Sequence, residues 1–360
     1  MARFRTVRDG KPLRTPATGF PAFVGPRRVP RVIAGDVWAC LRHVLEVREG
    51  LTKEHKRHAV AYLEQAFEFC EAASNPQIGA RPLLYYYSFL NAAKAYLLAC
   101  GKPLPPQTHH GVQDPKANVR QRLWLEGQKV RVLAVSSDGS NILPEFIAVL
   151  DGDAQRQREY AVLDGLLAQV PAIHRTYTKV RRRPLRFVPV KDFELLTDGR
   201  EVWTRAVLDA TDNDVTRALP SVQARTAFRG VFDRVSAPSG LVWFESRPEA
   251  GQRRGVDSAV SRLAGEIRRC GVWSLLTGRG YRHYFGDFPP TQRLPQLASI
   301  LSVMFYLGSI TRYRPHHLAA ILEGRYGAFI EESISSQPLQ FIYLMASEFA
   351  QREVTRPAIV

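Results

Sequence analysis

Arg312, Arg314, His316 and His317 crowd together directly after a charge-free apolar run, Leu294 to Thr311. A guanidinium stays charged at any working pH, and an imidazole titrates near neutrality. Side by side, they can hold a phosphate and move a proton. Those are the two tasks of metal-free RNA cleavage, in which a ribose 2′-hydroxyl attacks the neighbouring phosphate. In this reading Arg312 binds the scissile phosphate and His317, or His316, transfers the proton. On an unbroken helix Arg312 would face His316 rather than His317. Pro315 interrupts that geometry, because it disfavours helix at Arg314 and suits the first turn of a new helix. The pattern predicts a helix ending near Arg312, a bend, and a second helix from Pro315, after which either imidazole could swing beside Arg312. The competing reading is structural: Arg312 forms an ion pair at the core edge of a non-catalytic protein-interaction module.

Other residues could serve the same site. Tyr85, Tyr86 and Tyr87 form an aromatic stack of the kind that receives bases, although large rings on an apolar helix also belong in a core. Asn91 follows on the same helix. A buried amide needs partners, and it is expected to orient Arg312 or a histidine. Lys179, Arg181, Arg182 and Arg183, with Arg314, could track a phosphate backbone, and a solvated charged loop is the equal alternative for the 179–183 run. His109, His110 and nearby Asp114 are too few for a metal centre, and a turn is expected at Gly111. Nucleophile-elbow, phosphate-loop, zinc-protease and dinucleotide motifs do not occur, so hydrolase triads and nucleotide loops gain no support. No cofactor and no metal is expected.

These residues need elements to position them. The chain has 360 residues, 45% hydrophobic and 23% charged, with 50 Lys and Arg against 34 Asp and Glu, a net +16. Such a balance favours polyanions, nucleic acid foremost, or reflects an Arg-rich genome. Cys40, Cys70, Cys100 and Cys270 show no metal spacing and read as reduced thiols in a cytoplasmic protein. A basic, Pro- and Gly-rich arm is expected over 1–34, with no apolar leader core behind it. From 35 to 101 the pattern is helical. Asp36 is a candidate cap, a second helix covers His55 to Ala73, and a third, apolar on most faces, starts at Arg81-Pro82. Segment 102–290 reads as a mixed α/β insertion, with strands at Lys129–Val135, Leu185–Val190, Glu201–Leu208 and Leu241–Glu245 and helices at Glu159–Val170 and Asp257–Arg269. From 291 to 360 the chain is helical again. The Leu294–Thr311 run is too diluted by polar residues for a membrane span and reads as a core helix. Packing the two apolar helices together would give one helical domain split by the insertion.

Two stretches resemble the YaaC-like family. They are Arg81-Pro82-Leu83-Leu84-Tyr85-Tyr86-Tyr87 through Ala95 with His110-Gly111, and Leu301 through Arg312-Tyr313-Arg314-Pro315. Pro338 to Leu344 also fits, so the resemblance spans Gly35 to Glu353. A second likeness is to HEPN helical domains: a Tyr-rich helix, then Thr108-His109 and Gly111, then Arg312 and His317 at the spacing of an Arg-x4-6-His motif. The HEPN likeness implies metal-independent RNA cleavage by Arg312 and His317, a homodimer with two motifs in one site, and a toxin or phage-defence setting with a partner protein encoded nearby. The expected fold class is α+β: a mostly helical, HEPN-like bundle of N- and C-terminal regions, split by the mixed insertion.

Overall fold

The computed structural model describes residues 31–75, 77–115, 127–151, 158–161, 165–197, 201–250, 263, 265–289 and 293–357, with short strands at 4–5, 7–8 and 11–12. The chain divides into two compact units. One comprises Asp36–Pro184 and Thr291–Phe349, the other Met1–Gly35, Leu185–Pro290 and Ala350–Val360.

The first unit is helical, and its helices start where the sequence supplies caps. Asp36 accepts from the backbone N–H groups of Trp38 and Ala39 and opens the helix Val37–Val47. Thr52 accepts from His55 N and opens Lys53–Ala72. Arg81–Ala99 has no side-chain cap but carries Pro82 in its first turn. It is buried along most of its length because other helices surround it. Ser88 Oγ donates to Ala66 O on the preceding helix at 2.7 Å. Phe89 stacks on Phe341 of Gly327–Ala350 at 4.0 Å between ring centroids. Tyr96 meets Phe349 and Phe146 edge-on. At Gly308 the helix Gln296–Tyr313 comes so near that an added Cβ would lie 3.2 Å from Leu83 Cα. A three-stranded antiparallel sheet of Val112–Gln113, Lys129–Val132 and Arg158–Ala161 belongs to the same unit.

The second unit is built on antiparallel sheet. Phe4–Arg5, Asp192–Thr197, Glu201–Asp209, Leu241–Ser246 and Phe232–Val235 lie in that order, with Glu249–Ala250 also paired to Glu201–Asp209. Arg205 sits opposite both Glu194 and Glu245 and forms ion pairs with each. Val272–Thr277, Gly280–Gly286 and Phe187–Val190 make a smaller sheet. The core includes Phe193, Leu208, Phe228, Phe244 and Phe285, closed by Val215 and Leu219 of the helix Asn213–Gln223.

This corrects the expected fold class. Among the described residues helices and strands both contribute, an α+β mix rather than a mostly helical bundle. The division also falls elsewhere than 102–290. The segment up to Pro184 folds with the helices, because Ile142–Asp151 buries Ile142, Leu143, Phe146, Ile147 and Leu150. Both ends of the chain join the sheet unit, where Arg31–Ile33 pairs in parallel with Glu353–Thr355. The helix expected over Glu159–Val170 is instead the strand Arg158–Ala161 and a 3-10 turn at Leu167–Gln169, because Tyr160 pairs with Val130. Most of the 1–34 arm and the start of Asp257–Arg269 lie outside the described residues. Among the described residues, no helix is long and apolar enough to cross a membrane.

Candidate functional site

Within the helical unit, the crossing of Arg81–Ala99 and Gln296–Tyr313 opens into a cavity of about 610 Å³. The first helix contributes Leu83, Tyr86 and Tyr87, and the second Phe305, Gly308, Ser309, Arg312 and Tyr313. Phe305, Ser309 and Arg312 share one face by helical spacing. The remaining wall is His110, Gln113, Asp114 and Arg314. The Tyr86 ring makes T-shaped contacts with Phe305, at 5.4 Å, and with His110, at 5.5 Å between centroids. Burial pushes its phenol pKa up.

The two arginines have different jobs. Arg312 is exposed at the cavity mouth, where Nη1 donates to Tyr87 Oη at 3.4 Å and the guanidinium lies 5.0 Å from the centre of the Tyr313 ring. Tyr313 itself is 67% exposed. Among the described residues no carboxylate pairs with Arg312. The ion pair that sequence reasoning offered for Arg312 belongs to Arg314, whose Nη2 binds Asp114 Oδ2. Burial raises the Asp114 pKa, and the Arg314 charge and a hydrogen bond from Ser309 offset only part of that rise.

The bend at Pro315 is present. Arg314 leaves helical geometry, at φ −146° and ψ 57°, and Pro315–Glu323 follows as a new helix. The bend does not bring His316 or His317 to Arg312. His316 is exposed, and His317 is 5% exposed on the inward face that also carries Leu318 and Ile321. Neither lines the cavity. The Nε2 of His317 is buried with no hydrogen-bond partner among the described residues, and burial, then Arg314 and His316, lower its pKa.

The imidazole that does line the cavity is His110. Its loop is stitched to the start of Ile142–Asp151 and to the end of Lys129–Val132: His109 N donates to Ser140 O, Ile142 N to His109 O, Leu143 N to His110 O and Leu133 N to Gly111 O, all at 2.8–3.1 Å. Gly111 has φ +72°, so the turn expected there forms in a conformation that favours glycine. Burial lowers the His110 pKa, and the charges of Lys94, His109 and Arg312 lower it further. The ring is therefore neutral at pH 7 and can accept a proton. Sequence reasoning weighed His109 and His110 as metal ligands and as marks of the family likenesses, and gave neither a catalytic role. The glycine that fixes their turn was the available signal.

The other expected members lie elsewhere. Asn91 is buried, and its Nδ2 donates to Gln65 Oε1 at 2.9 Å, so it orients neither Arg312 nor a histidine. Gln65 lines a second cavity, of about 670 Å³, with His55, His58 and Tyr62. Tyr85 stacks on Phe89 in the core. Lys179, Arg181, Arg182 and Arg183 close the helix His174–Arg181 and do not line the first cavity.

His317, buried and with a lowered pKa, makes the fold sensitive to acid. A histidine pKa depressed by folding contributes stability that is present above the unfolded value, about 6.5, and lost as pH falls through the folded value. The urea midpoint is expected to fall between pH 7 and pH 5, and His317→Leu to reduce that fall. An unchanged pH dependence in the variant would take His317 out of the account.

Fold and site together define a two-unit α+β protein whose helical unit holds an aromatic cavity with a guanidinium at its mouth and a neutral imidazole on its wall. The family model described as YaaC-like Protein matches residues 38–349, and the chain belongs to that family. Comparison with curated proteins and with solved structures gives no match.

Proposed function

We propose that the protein binds single-stranded RNA and cleaves it without a metal at the cavity lined by Tyr86, Tyr87, His110 and Arg312. The observation that carries this reading is Arg312: a guanidinium at a cavity mouth, with no carboxylate partner among the described residues, sharing that cavity with a neutral imidazole. A base would seat among Tyr86, Tyr87, Phe305 and Tyr313, where stacking tolerates any base. Arg312 would hold the phosphate and favour the charge that develops on it. His110 would take the proton of the 2′-hydroxyl. The 2′-oxygen then attacks phosphorus, the bond to the 5′-oxygen breaks, and that oxygen takes a proton from water. The products are a 2′,3′-cyclic phosphate and a 5′-hydroxyl. The proposal also carries what the sequence likeness to HEPN domains implies: a homodimer, a partner protein encoded nearby, and a defence or toxin role in the cytoplasm.

The test is cleavage of end-labelled single-stranded RNA in EDTA. Wild type is expected to leave cyclic phosphate ends. His110→Ala is expected to slow cleavage about 100-fold or more, the scale of general acid–base catalysis, and Arg312→Ala to do likewise. The double variant His316→Ala/His317→Ala should keep most of the activity. Cleavage that survives His110→Ala removes the imidazole from the mechanism. A wild type that does not cut leaves the non-catalytic interaction module as the reading.

A further inference from the structure

The second cavity, of about 670 Å³, shares two walls with the first. On the helix Arg81–Ala99, Tyr87 lines the first cavity and Leu98 the second. The loop after that helix lines the second at Pro103, Leu104, Pro105 and Pro106, and the first at His110. The other wall of the second cavity is the helix Lys53–Ala72, which crosses Arg81–Ala99 in a constant antiparallel register. Phe69 stacks on Tyr87 at 5.4 Å. Gln65 Oε1 accepts from Asn91 Nδ2 at 2.9 Å. The centre of the Tyr62 ring lies 5.1 Å from Lys94 Nζ. His58 and Leu98 then meet the second cavity together. At a rise of 1.5 Å per residue, Tyr87 and Leu98 are about 16 Å apart along the helix.

The step between the two cavities carries a charge. Lys94 is half-buried, and burial lowers its pKa. The Tyr62 ring attracts its ammonium, but among the described residues no carboxylate pairs with it. A desolvated ammonium so placed is stabilised by an anion. Its charge also lowers the His110 pKa, so it acts on the first cavity as well as on the wall of the second. Beyond Lys94 the second cavity suits a base. His55, His58 and Tyr62 follow at helical spacings on one face. Unstacked bases lie on tyrosine and histidine rings and hydrogen-bond along their edges. Gln65, its Oε1 held by Asn91, has its Nε2 to donate. Glu54 stands on the same wall two turns before Tyr62, so a phosphate is favoured at the Lys94 end.

We propose that the second cavity is a distal subsite for the same single-stranded RNA, with a base against Tyr62 and His58 and a phosphate on Lys94 between the two cavities. This rests on the reading of the first cavity as an RNA site, but not on cleavage. At the duplex rise of about 3.4 Å per nucleotide the 16 Å span takes about five nucleotides, and fewer where the strand is stretched.

The test is binding of 2′-O-methyl RNA, which cannot be cut, in lengths of two and eight nucleotides. Wild type is expected to bind the longer strand more tightly. Tyr62→Ala is expected to weaken the eight-nucleotide strand about 10-fold, the scale of one lost base stack, and to leave the two-nucleotide strand unchanged. Lys94→Gln is expected to lower the slope of log K against log salt for the longer strand by about 0.7, one phosphate contact. The short strand controls for folding, because a misfolded variant loses both lengths. If Tyr62→Ala does so, His58→Ala, at an exposed position, decides: a selective loss of the longer strand supports the subsite, and unchanged binding overturns it. Equal wild-type affinity for the two lengths would overturn it, as would eight-nucleotide binding that ignores both Tyr62→Ala and Lys94→Gln. Length-dependent binding through Tyr62 by a protein that does not cut unmodified RNA would support the subsite and sink the cleavage mechanism. Cutting with length-independent binding would do the reverse, and a wild type that binds neither strand would sink both.

Discussion

Gly111→Ala is expected to cost the helical unit about 2–5 kcal/mol and to disable the candidate site at the same time. Two separate penalties meet there. The backbone at φ +72° lies where a side chain strains it, by roughly 1–2 kcal/mol for an L-residue. An added Cβ would also overlap Pro144 Cδ and lie 3.1 Å from Leu143 N. Both neighbours are fixed at the start of the helix Ile142–Asp151, so they cannot yield as a flexible side chain would, and such overpacking adds about 1–3 kcal/mol. Gly50 separates the two terms. It has φ +79° with nothing within 4 Å of an added Cβ, so Gly50→Ala reports strain alone. Urea midpoints of the two variants test the argument: a Gly111→Ala loss no larger than that of Gly50→Ala would mean the wedge does not matter. RNA cleavage by the folded fraction should fall as well, because any relaxation that admits the methyl group moves His110.

The pattern of what could be read in the sequence follows the range of the forces involved. Asp36 and Pro82 act on backbone within a few residues, so their helix starts are legible. Pro315 acts on its own neighbours, and the bend it predicts is there. The Tyr-rich helix is central because it is apolar on most faces, a local property. What failed depends on contacts across the chain. Asp114 and Arg314 meet over a separation of 200 residues, and no spacing rule links them. The parallel pairing of Arg31–Ile33 with Glu353–Thr355 is equally non-local, so the N-terminal segment could not be tied to the sheet unit. The identity of the cavity imidazole is the same kind of failure. His317 is near Arg312 in sequence but turns inward, whereas His110 is distant and shares its cavity.

Breaking the Arg314–Asp114 pair from one side is expected to destabilise far more than deleting both partners. The Asp114 side chain is 15% exposed and that of Arg314 is 30%. The raised Asp114 pKa shows that burial disfavours its charge by more than Arg314 and Ser309 favour it. A carboxylate so raised stabilises the fold below its unfolded range and loses that contribution as pH rises through its folded value. At neutral pH the pair therefore offsets a desolvation cost that each charge brings. Arg314→Met strands the carboxylate and should cost about 2–3 kcal/mol at pH 7, less than for a fully buried pair because Arg314 is partly hydrated. Part of that loss should return at pH 5, where Asp114 can take a proton. Asp114→Leu alone leaves a guanidinium that cannot be neutralised. The double variant Arg314→Met/Asp114→Leu should lie within about 1 kcal/mol of wild type, because well-packed apolar replacements remove both desolvation costs together. Denaturation of the four proteins closes a double-mutant cycle. Additive losses would show that the two groups do not interact. Cleavage gives an independent reading: the double variant keeps Arg312 and His110, so if the Arg314–Asp114 pair serves only to hold the bend after Tyr313, RNA should still be cut.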